Sequence, residues 1–171
     1  RGYTAERYLE RLAQARATVP DLAISTDIIV GFPGETDADF ARTLEVAAAA
    51  EYDYAYTFLF SPRAGPEAAE MTADFVDPAV AAERFSRLRV VIERSALAKH
   101  EARVGRIEEV LVEGPSKRDP SITSGRTRQN KLVHFEATGL RAGSYALVEV
   151  TRAAPHHLAG RLVEVTAAAP P

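Results

Sequence analysis

The spacing of apolar residues changes once along the chain, and this change limits the fold more than any other feature. Over residues 1–100, helical periodicity alternates with runs rich in Ile, Val and aromatic residues. The order helix, strand, helix, strand, helix is typical of an α/β domain with parallel strands. From about residue 105, short β-type runs alternate with Gly, Pro and Asn turns. The sequence therefore predicts two domains of different class.

Specific residues predict where the helices of the first domain begin. Thr4 and Thr36 are placed as N-caps, and Asp77 precedes a proline at the start of a third, long helix. Strands are predicted at residues 22–32 and 54–60. The first is so continuously apolar that burial on both faces is expected. Two parallel strands cannot form a covered sheet, so this domain is expected to be a piece of a larger one.

The second domain is predicted to be a small all-β barrel of the OB-like kind. Five short strands separated by turns are typical of such barrels. The predicted strands are residues 107–113, 123–128, 131–135, 145–151 and 160–165. The domains are placed at 1–102 and 103–166, and the Ala- and Pro-rich tail at 167–171 is expected to be disordered.

Composition excludes several classes of site. The chain has no Cys, so it holds no disulfide, no Cys-ligated zinc and no iron–sulfur cluster of its own. No apolar run reaches the roughly 18 residues that span a bilayer, and the first residues lack signal-peptide character. A cytoplasmic protein without a membrane partner is expected. The His residues are too scattered to predict a metal site.

Basic residues are concentrated in one segment of an acidic chain. The net charge is −3, yet residues 114–134 contain only one acidic residue. Such a segment is either a contact surface for a polyanion or an ordinary solvated loop. Its basic residues are Lys117, Arg118, Arg126, Arg128 and Lys131.

Several segments resemble the MiaB family of radical-SAM methylthiotransferases. They are RGYT at residues 1–4, STDIIVGFPGET at 25–36, SPR at 61–63, and VEGPSK at 112–117 followed by SGRT at 124–127. The GFPGET stretch is shared by several radical-SAM families. The VEGPSK and SGRT pair is far more specific to this family and to its C-terminal TRAM domain, an RNA-binding β-barrel. The resemblance extends to about Val165.

The resemblance implies the end of a radical-SAM (β/α) barrel followed by a TRAM barrel. The family's full-length enzyme converts N6-isopentenyladenosine in the tRNA anticodon loop to its 2-methylthio derivative, using S-adenosylmethionine (SAM) and 4Fe–4S clusters. The cysteines for those clusters are absent here, so this chain alone is expected to be inactive, with no catalytic residue. Its implied partners are the tRNA anticodon stem-loop and the missing N-terminal half of the same protein. Two alternatives remain: a stand-alone RNA-binding protein, and the sister enzyme that acts on a ribosomal protein.

A SAM site is expected at the turn after the first strand. Ligands of α/β proteins lie beyond the carboxyl ends of parallel strands, where glycines permit close approach and helix N-termini attract polar groups. Alternatively, this is only a tight strand–helix turn, with Asp27 satisfied by a neighbour and Glu35 a helix-start acid. By the resemblance, the predicted cofactor-binding residues are Arg1, Asp27, Gly31, Pro33, Gly34 and Arg63.

An RNA-binding face is expected on the barrel. Lys and Arg suit phosphate, and strand alternation places Arg126 and Arg128 on one face with Lys131 just beyond a turn. Asn130 either reads a base or serves only to adopt a positive φ in that turn. The predicted RNA-binding residues are Lys117, Arg118, Arg126, Arg128, Asn130, Lys131 and His134.

Overall fold

The computed structural model describes residues 2–62 and 71–169. The chain divides into two compact units, an α/β unit at Arg1–Ser95 and a barrel unit at Ala96–Pro171. The division falls within the third helix, whereas the boundary predicted at residue 103 follows the end of that helix. That finer boundary stays a prediction.

The α/β unit has the predicted alternation of helices and strands. Its elements are α1 (Ala5–Thr18), β1 (Ser25–Val30), α2 (Asp37–Ala50), β2 (Tyr54–Leu59), a short 3-10 turn (Thr72–Asp74) and the larger part of α3 (Pro78–Glu101). β1 and β2 pair in parallel along their whole length. The predicted parallel α/β segment is therefore confirmed.

The three predicted helix starts are confirmed, each with a side-chain oxygen bound to free N–H groups of the first turn. The Thr4 hydroxyl accepts from Arg7 N. Thr36 and Asp39 form a reciprocal capping box. The Asp77 carboxylate accepts from the N–H groups of residues 79 and 80, at 2.8 and 3.3 Å. These caps satisfy donors that no helical carbonyl reaches.

The prediction that β1 is buried on both faces is wrong. Exposed and partly covered residues alternate along the strand. One face packs with the helices around Val30, Phe40 and Leu88, all nearly inaccessible to solvent. On the other face, Asp27 and Ile29 of β1 are exposed, together with the aromatic side chains Tyr54, Tyr56 and Phe58 of β2. An unbroken apolar run does not reveal which face the rest of the chain covers.

The barrel unit contains the predicted five-stranded closed barrel. Its strands are β3 (Ile107–Pro115), β4 (Ile122–Thr127), β5 (Leu132–Glu136), β6 (Tyr145–Ala154) and β7 (His157–Ala167). They are joined in the order β3-β4-β5-β7-β6, and β6 pairs with β3 to close the barrel. β5 and β7 are parallel, and the other neighbours are antiparallel. Inside lie Val110, Val133, Phe135, Val148 and Leu158, each almost fully buried.

The last two strands are longer than predicted and form a hairpin. Ala154 pairs with His157 across a two-residue turn. His157 therefore begins a strand, whereas the sequence placed it in the connection between the strands predicted at 145–151 and 160–165. The extra pairs of residues 152–154 with residues 157–159 satisfy backbone groups within the sheet that a loop would leave to water.

The disordered tail predicted at residues 167–171 needs correction at its start. β7 extends to Ala167, which pairs with Tyr145. Ala169 is buried, and its N–H donates to the Ser144 hydroxyl at 3.0 Å. Arg141 donates to the Ala169 carbonyl oxygen. Residues 170 and 171 lie outside the described residues.

Two strand glycines allow the barrel to close tightly. A Cβ atom on Gly125 would lie 2.5 Å from both the Leu111 carbonyl oxygen and Val110 Cγ1. A Cβ atom on Gly160 would lie 2.5 Å from Val148 Cγ1. Glycine in the interior of a strand often marks such a close approach of another backbone.

Candidate nucleic-acid interface

The basic segment forms two connections of the barrel unit. Lys117 and Arg118 are exposed in the loop between β3 and β4. Arg126 lies in β4, and Arg128 is exposed in the turn between β4 and β5. No carboxylate in the described part of the chain forms an ion pair with Lys117, Arg118 or Arg128. These three cations are therefore placed to meet an external anion such as a phosphate.

The β4–β5 turn explains Asn130. This residue has φ = +58°, and its N–H donates to the Thr127 carbonyl oxygen at 2.9 Å. The Thr127 N–H donates in turn to the Lys131 carbonyl oxygen at 3.0 Å. A three-residue hairpin loop of this kind usually ends with a left-handed residue, and Asn tolerates that conformation. The structure thus confirms the positive φ, while base reading by Asn130 stays a prediction.

Substitution of Asn130 separates the two roles. Asn130→Gly is expected to keep the melting temperature nearly unchanged, because Gly adopts positive φ without strain. Asn130→Ala is expected to destabilise the barrel unit by about 1 kcal/mol, because a Cβ-bearing residue without a polar side chain disfavours this conformation. Thermal melting and RNA binding are measured on both variants. Weaker RNA binding by the stable Gly variant would show that the amide side chain itself contacts RNA.

The placement of Lys131 on the exposed basic surface is wrong. Its side chain is only 4% exposed. Lys131 alternates with Val133 and Phe135, which are buried inside the barrel, so it lies on the inward side of the chain. Near it, Thr127 Oγ1 accepts from the Lys131 N–H, at 3.2 Å. Lys131 thus belongs to the barrel interior and offers no surface charge to a phosphate.

Arg126 and Arg128 do not share a strand face as predicted. β4 ends at Thr127, so strand alternation does not extend to Arg128. Arg126 donates to Glu113 Oε1 at 3.4 Å and to the Asn130 carbonyl oxygen at 3.1 Å. Arg126 is partly accessible, but it also stabilises the hairpin. Its replacement would therefore change stability as well as charge, so it does not give a clean test of phosphate binding.

His134 lies in a cluster that the sequence did not predict. Its Nδ1 is 2.9 Å from the Ser124 hydroxyl oxygen on the neighbouring strand. Its ring meets the His157 ring edge to face, with centroids 5.2 Å apart. Burial lowers the pKa of His134, and the nearby Arg118 lowers it further. His157 was missed because it was assigned to a loop, although a Pro-His turn between two β-type runs would have indicated a hairpin.

The pKa of His157 is lowered by the same kinds of effect, and a further arginine, Arg152, contributes to it. Burial is the main cause that lowers its pKa, followed by the charges of His134 and Arg152. His156 and Arg118 contribute less. The surroundings of both imidazoles therefore favour the neutral form.

Four backbone N–H groups of the predicted SAM turn are already hydrogen-bonded within the protein. Gly31 N–H donates to Glu35 Oε2 at 3.0 Å, and Gly34 N–H donates to the Asp74 carbonyl oxygen at 2.8 Å. The N–H groups of Glu35 and Thr36 are also bound, to Phe32 and Asp39. A Cβ atom at Gly31 would lie 2.9 Å from Ala81 Cβ, so this glycine is needed for packing against α3. These contacts match the tight-turn alternative.

The remaining predicted SAM residues are placed as follows. Pro33 is buried in the turn. Asp27 is exposed on the open sheet face, with Tyr56 as its partner in β2. Arg1 and Arg63 lie outside the described residues. Roles of Asp27 and of this turn in SAM binding stay predictions.

Glu35 has a structural role. Its carboxylate accepts from Arg84 of α3 at 2.8 Å, and both side chains are nearly buried, at 10% and 5% exposure. Arg84 also donates to Asp37, at 2.6 Å. Hydrogen bonding to Asp37, followed by that to Glu35, raises the pKa of Arg84 against the opposing effect of burial. The contacts of Glu35 therefore link the turn to α3, in agreement with its expected place at a helix start.

Two further properties concern only the described residues. Within 2–62 and 71–169, no group of three or more His, Asp or Glu side chains is placed to hold a metal ion. In the same ranges, no helix combines the length and apolar character needed to cross a membrane.

Comparison with known proteins defines first the class of the barrel and then the relatives of the whole chain. The family model of the TRAM domain matches residues 101–163. The barrel unit is therefore a TRAM domain, preceded by an α/β segment with parallel strands. The chain as a whole corresponds to the C-terminal portion of the tRNA-2-methylthio-N(6)-dimethylallyladenosine synthases, as the sequence resemblance implied.

Three relatives show how much of these proteins is covered. The synthase of Moorella thermoacetica is 48% identical over 164 residues, which are 96% of this chain and 37% of the relative. The synthase of Acidothermus cellulolyticus is 50% identical over 92% of this chain and 32% of its own length. The synthase of Mycolicibacterium vanbaalenii is 47% identical with the same coverage. The chain thus spans about a third of the length of the curated relatives it matches.

Proposed function

We propose that this chain is the tRNA-holding portion of a methylthiotransferase that converts N6-isopentenyladenosine in the anticodon loop to its 2-methylthio derivative. The match of residues 101–163 to the TRAM domain carries the proposal. The names of the relatives support the choice of tRNA as the RNA and of methylthio transfer as the reaction. A cytoplasmic location belongs to the same proposal.

The part of the reaction assigned to this chain is binding and positioning. The exposed cations Lys117, Arg118 and Arg128 hold backbone phosphates of the anticodon stem-loop, because their charge is permanent and accessible. Phosphate contacts fix the register of an RNA without reading its sequence. Recognition of the modified adenosine is therefore assigned to other parts of the complex.

Most of the groups that carry out the proposed reaction are bound outside this chain. The chain has no Cys, so 4Fe–4S clusters in the proposed enzyme are bound outside it. When bound, the clusters and SAM supply the radical and the methyl and sulfur transfer. Asp27, exposed on the sheet face beside Tyr56, is the described residue proposed to accept a hydrogen bond from SAM.

A salt titration of RNA binding tests the proposal. The chain is expected to bind an anticodon stem-loop with a log–log salt slope of roughly −2, because three exposed cations each displace about 0.7 counterion from single-stranded RNA. The double variant Lys117→Ala, Arg128→Ala is expected to reduce the slope by roughly 1.4. Fluorescence anisotropy at several salt concentrations measures both.

A matched control removes charge from the other unit. Arg89 of α3 has a 62% exposed side chain, and Arg89→Ala with Arg87→Ala removes two charges outside the barrel unit. This control is expected to leave the slope unchanged. If the barrel double variant retains the parental affinity and slope, the basic loops do not hold the RNA.

One observation favours a second function, that of a stand-alone RNA-binding protein. Four backbone N–H groups of the predicted SAM turn are already bound within the α/β unit, as expected of a scaffold. Calorimetric titration with SAM separates this function from that of an enzyme portion. It is done on the chain alone and after assembly with the N-terminal portion of a relative.

A third candidate function is that of the sister enzyme, which acts on a ribosomal protein. The basic loops disfavour it, because binding to RNA accounts for their charges.

A further inference from the structure

The outward side of the barrel carries a row of polar and basic side chains across neighbouring strands. Register pairs Ser124 of β4 with His134 of β5, and His134 with Ala159 of β7. His157 lies two residues before Ala159, so it shares the face of His134. Arg152 of β6 pairs with Ala159 from the other side. The phosphate row is defined as Arg118, Ser124, His134, Arg152 and His157.

The members of the phosphate row are in contact or act on one another. The Ser124 hydroxyl and the His134 ring are hydrogen-bonded, at 2.9 Å. The His134 and His157 rings meet at 61°. The charge of Arg118 reaches both rings, and that of Arg152 reaches His157. These groups come from the β3–β4 loop and from β4, β5, β6 and β7, so only the folded barrel brings them together.

The charges of this row are not balanced within the chain. In the ranges 2–62 and 71–169, neither Arg118 nor Arg152 forms an ion pair with a carboxylate. Placing a proton on either imidazole adds a further positive charge beside them, which is unfavourable without an anion. A phosphate between these groups reverses that balance, since it accepts hydrogen bonds from guanidinium, imidazolium and hydroxyl groups.

We propose that the phosphate row binds one backbone phosphate of RNA and that protonation of the His134–His157 pair accompanies binding. The inference rests on the proposed function, because it assigns to RNA the anion that the row accepts. On protonation, His134 Nδ1–H donates to the Ser124 hydroxyl oxygen, and Nε2–H becomes a second donor. Arg118 supplies the permanent charge, and the histidine pair supplies a charge that depends on pH.

The direction of the pH dependence follows from linkage. A bound phosphate raises the histidine pKa relative to the free protein, so binding takes up a proton. Affinity therefore increases as pH falls toward the pKa of the free protein and is lost as pH rises through that of the complex. Other titratable or charged groups near the row on the packed elements are Arg126, Glu136, His156 and Arg161. Of these four residues, only Glu136 is acidic.

The test is binding of a fluorescent anticodon stem-loop between pH 5.5 and 8 at constant ionic strength. Wild type is expected to bind roughly three- to tenfold more tightly at pH 5.5 than at pH 8. The double variant His134→Gln, His157→Gln is expected to bind with nearly the same affinity at both pH values. His156→Gln, which changes the exposed turn residue beside the row, is the matched control and is expected to keep the pH dependence.

An NMR titration of the wild-type imidazole signals keeps the proposal testable if a variant fails to fold. The pKa of His134 or His157 is expected to rise by about half a unit or more when the stem-loop or millimolar inorganic phosphate is added. The same rise with both probes shows a phosphate site, and a rise with the stem-loop alone shows that RNA geometry is required. Unchanged imidazole titration with both probes overturns the inference.

Failure of this inference differs from failure of the proposed function. Wild type that binds the stem-loop equally at pH 5.5 and 8 contradicts the phosphate row and leaves RNA binding intact. A chain that does not bind the stem-loop at any pH contradicts the proposed function. In that case, the inorganic phosphate titration still decides whether the row accepts an anion.

Discussion

Replacing Arg84 by Ala is expected to lower the free energy of unfolding of the α/β unit by about 3–5 kcal/mol. The guanidinium is 5% exposed and donates to the Glu35 carboxylate at 2.8 Å. It also donates to the Glu35 carbonyl oxygen at 3.0 Å. Removing it leaves a nearly buried carboxylate whose main charged partner is gone, and an unpaired buried charge is among the most destabilising changes.

Hydrogen exchange measures this effect separately in each unit. Protection around Val30 and Leu88 is expected to fall in the Arg84→Ala variant, while that around Val133 and Phe135 in the barrel stays the same. Asp37→Asn is the matched control, because Asp37 contacts the same guanidinium but is 97% exposed. Exposed ion pairs contribute little, so the control is expected to cost at most about 0.5–1 kcal/mol. A cost below about 1 kcal/mol for Arg84→Ala would show that this ion pair does not hold the turn to α3.

Replacing Gly125 by Ala is expected to destabilise the barrel unit by about 3 kcal/mol, the upper part of the usual range for overpacking. The new Cβ would lie 2.5 Å from the Leu111 carbonyl oxygen and 2.5 Å from Val110 Cγ1. Val110 can change its rotamer, but the carbonyl is backbone and forms part of the β3–β4 pairing. The two strands must therefore move apart to admit a single methyl group.

Gly139→Ala is the control for Gly125→Ala. Gly139 has φ = +77°, and a Cβ there would meet nothing within 4 Å. Its cost is therefore conformational alone, about 1–2 kcal/mol. Urea denaturation of both variants measures the difference. A cost near zero for Gly125→Ala would mean that the barrel accommodates the methyl group without separating β3 from β4.

The sequence predicted those parts of the fold that depend on contacts between residues close together along the chain. Thr4, Thr36 and Asp77 were recognised as helix starts because a cap is a contact between residues close in sequence. The five barrel strands were recognised from alternation and turn residues. The exposed face of β1 was not, because Asp27 and Ile29 become exposed or covered according to what packs on the sheet.

In the candidate site, the sequence predicted correctly only those residues whose role follows from their own type and local position. Asn130 was recognised as a turn residue from its type and position. Lys131 was assigned to the exposed surface because of its charge. Its spacing indicates the inward face, because it alternates with Val133 and Phe135. The pairing of His134 with His157 depends on parallel pairing of β5 and β7, strands that are not consecutive in sequence. No local pattern contains that information.

The position of β7 has a consequence for how the barrel forms during synthesis. β7 occupies the free edges of both β5 and β6, and it is the last of the five strands to leave the ribosome. Until Leu158 and Leu162 are available, both edges remain unpaired and the core around Val133 and Val148 is open on one side. The nascent barrel is therefore expected to stay open to aberrant strand pairing until translation passes Ala167.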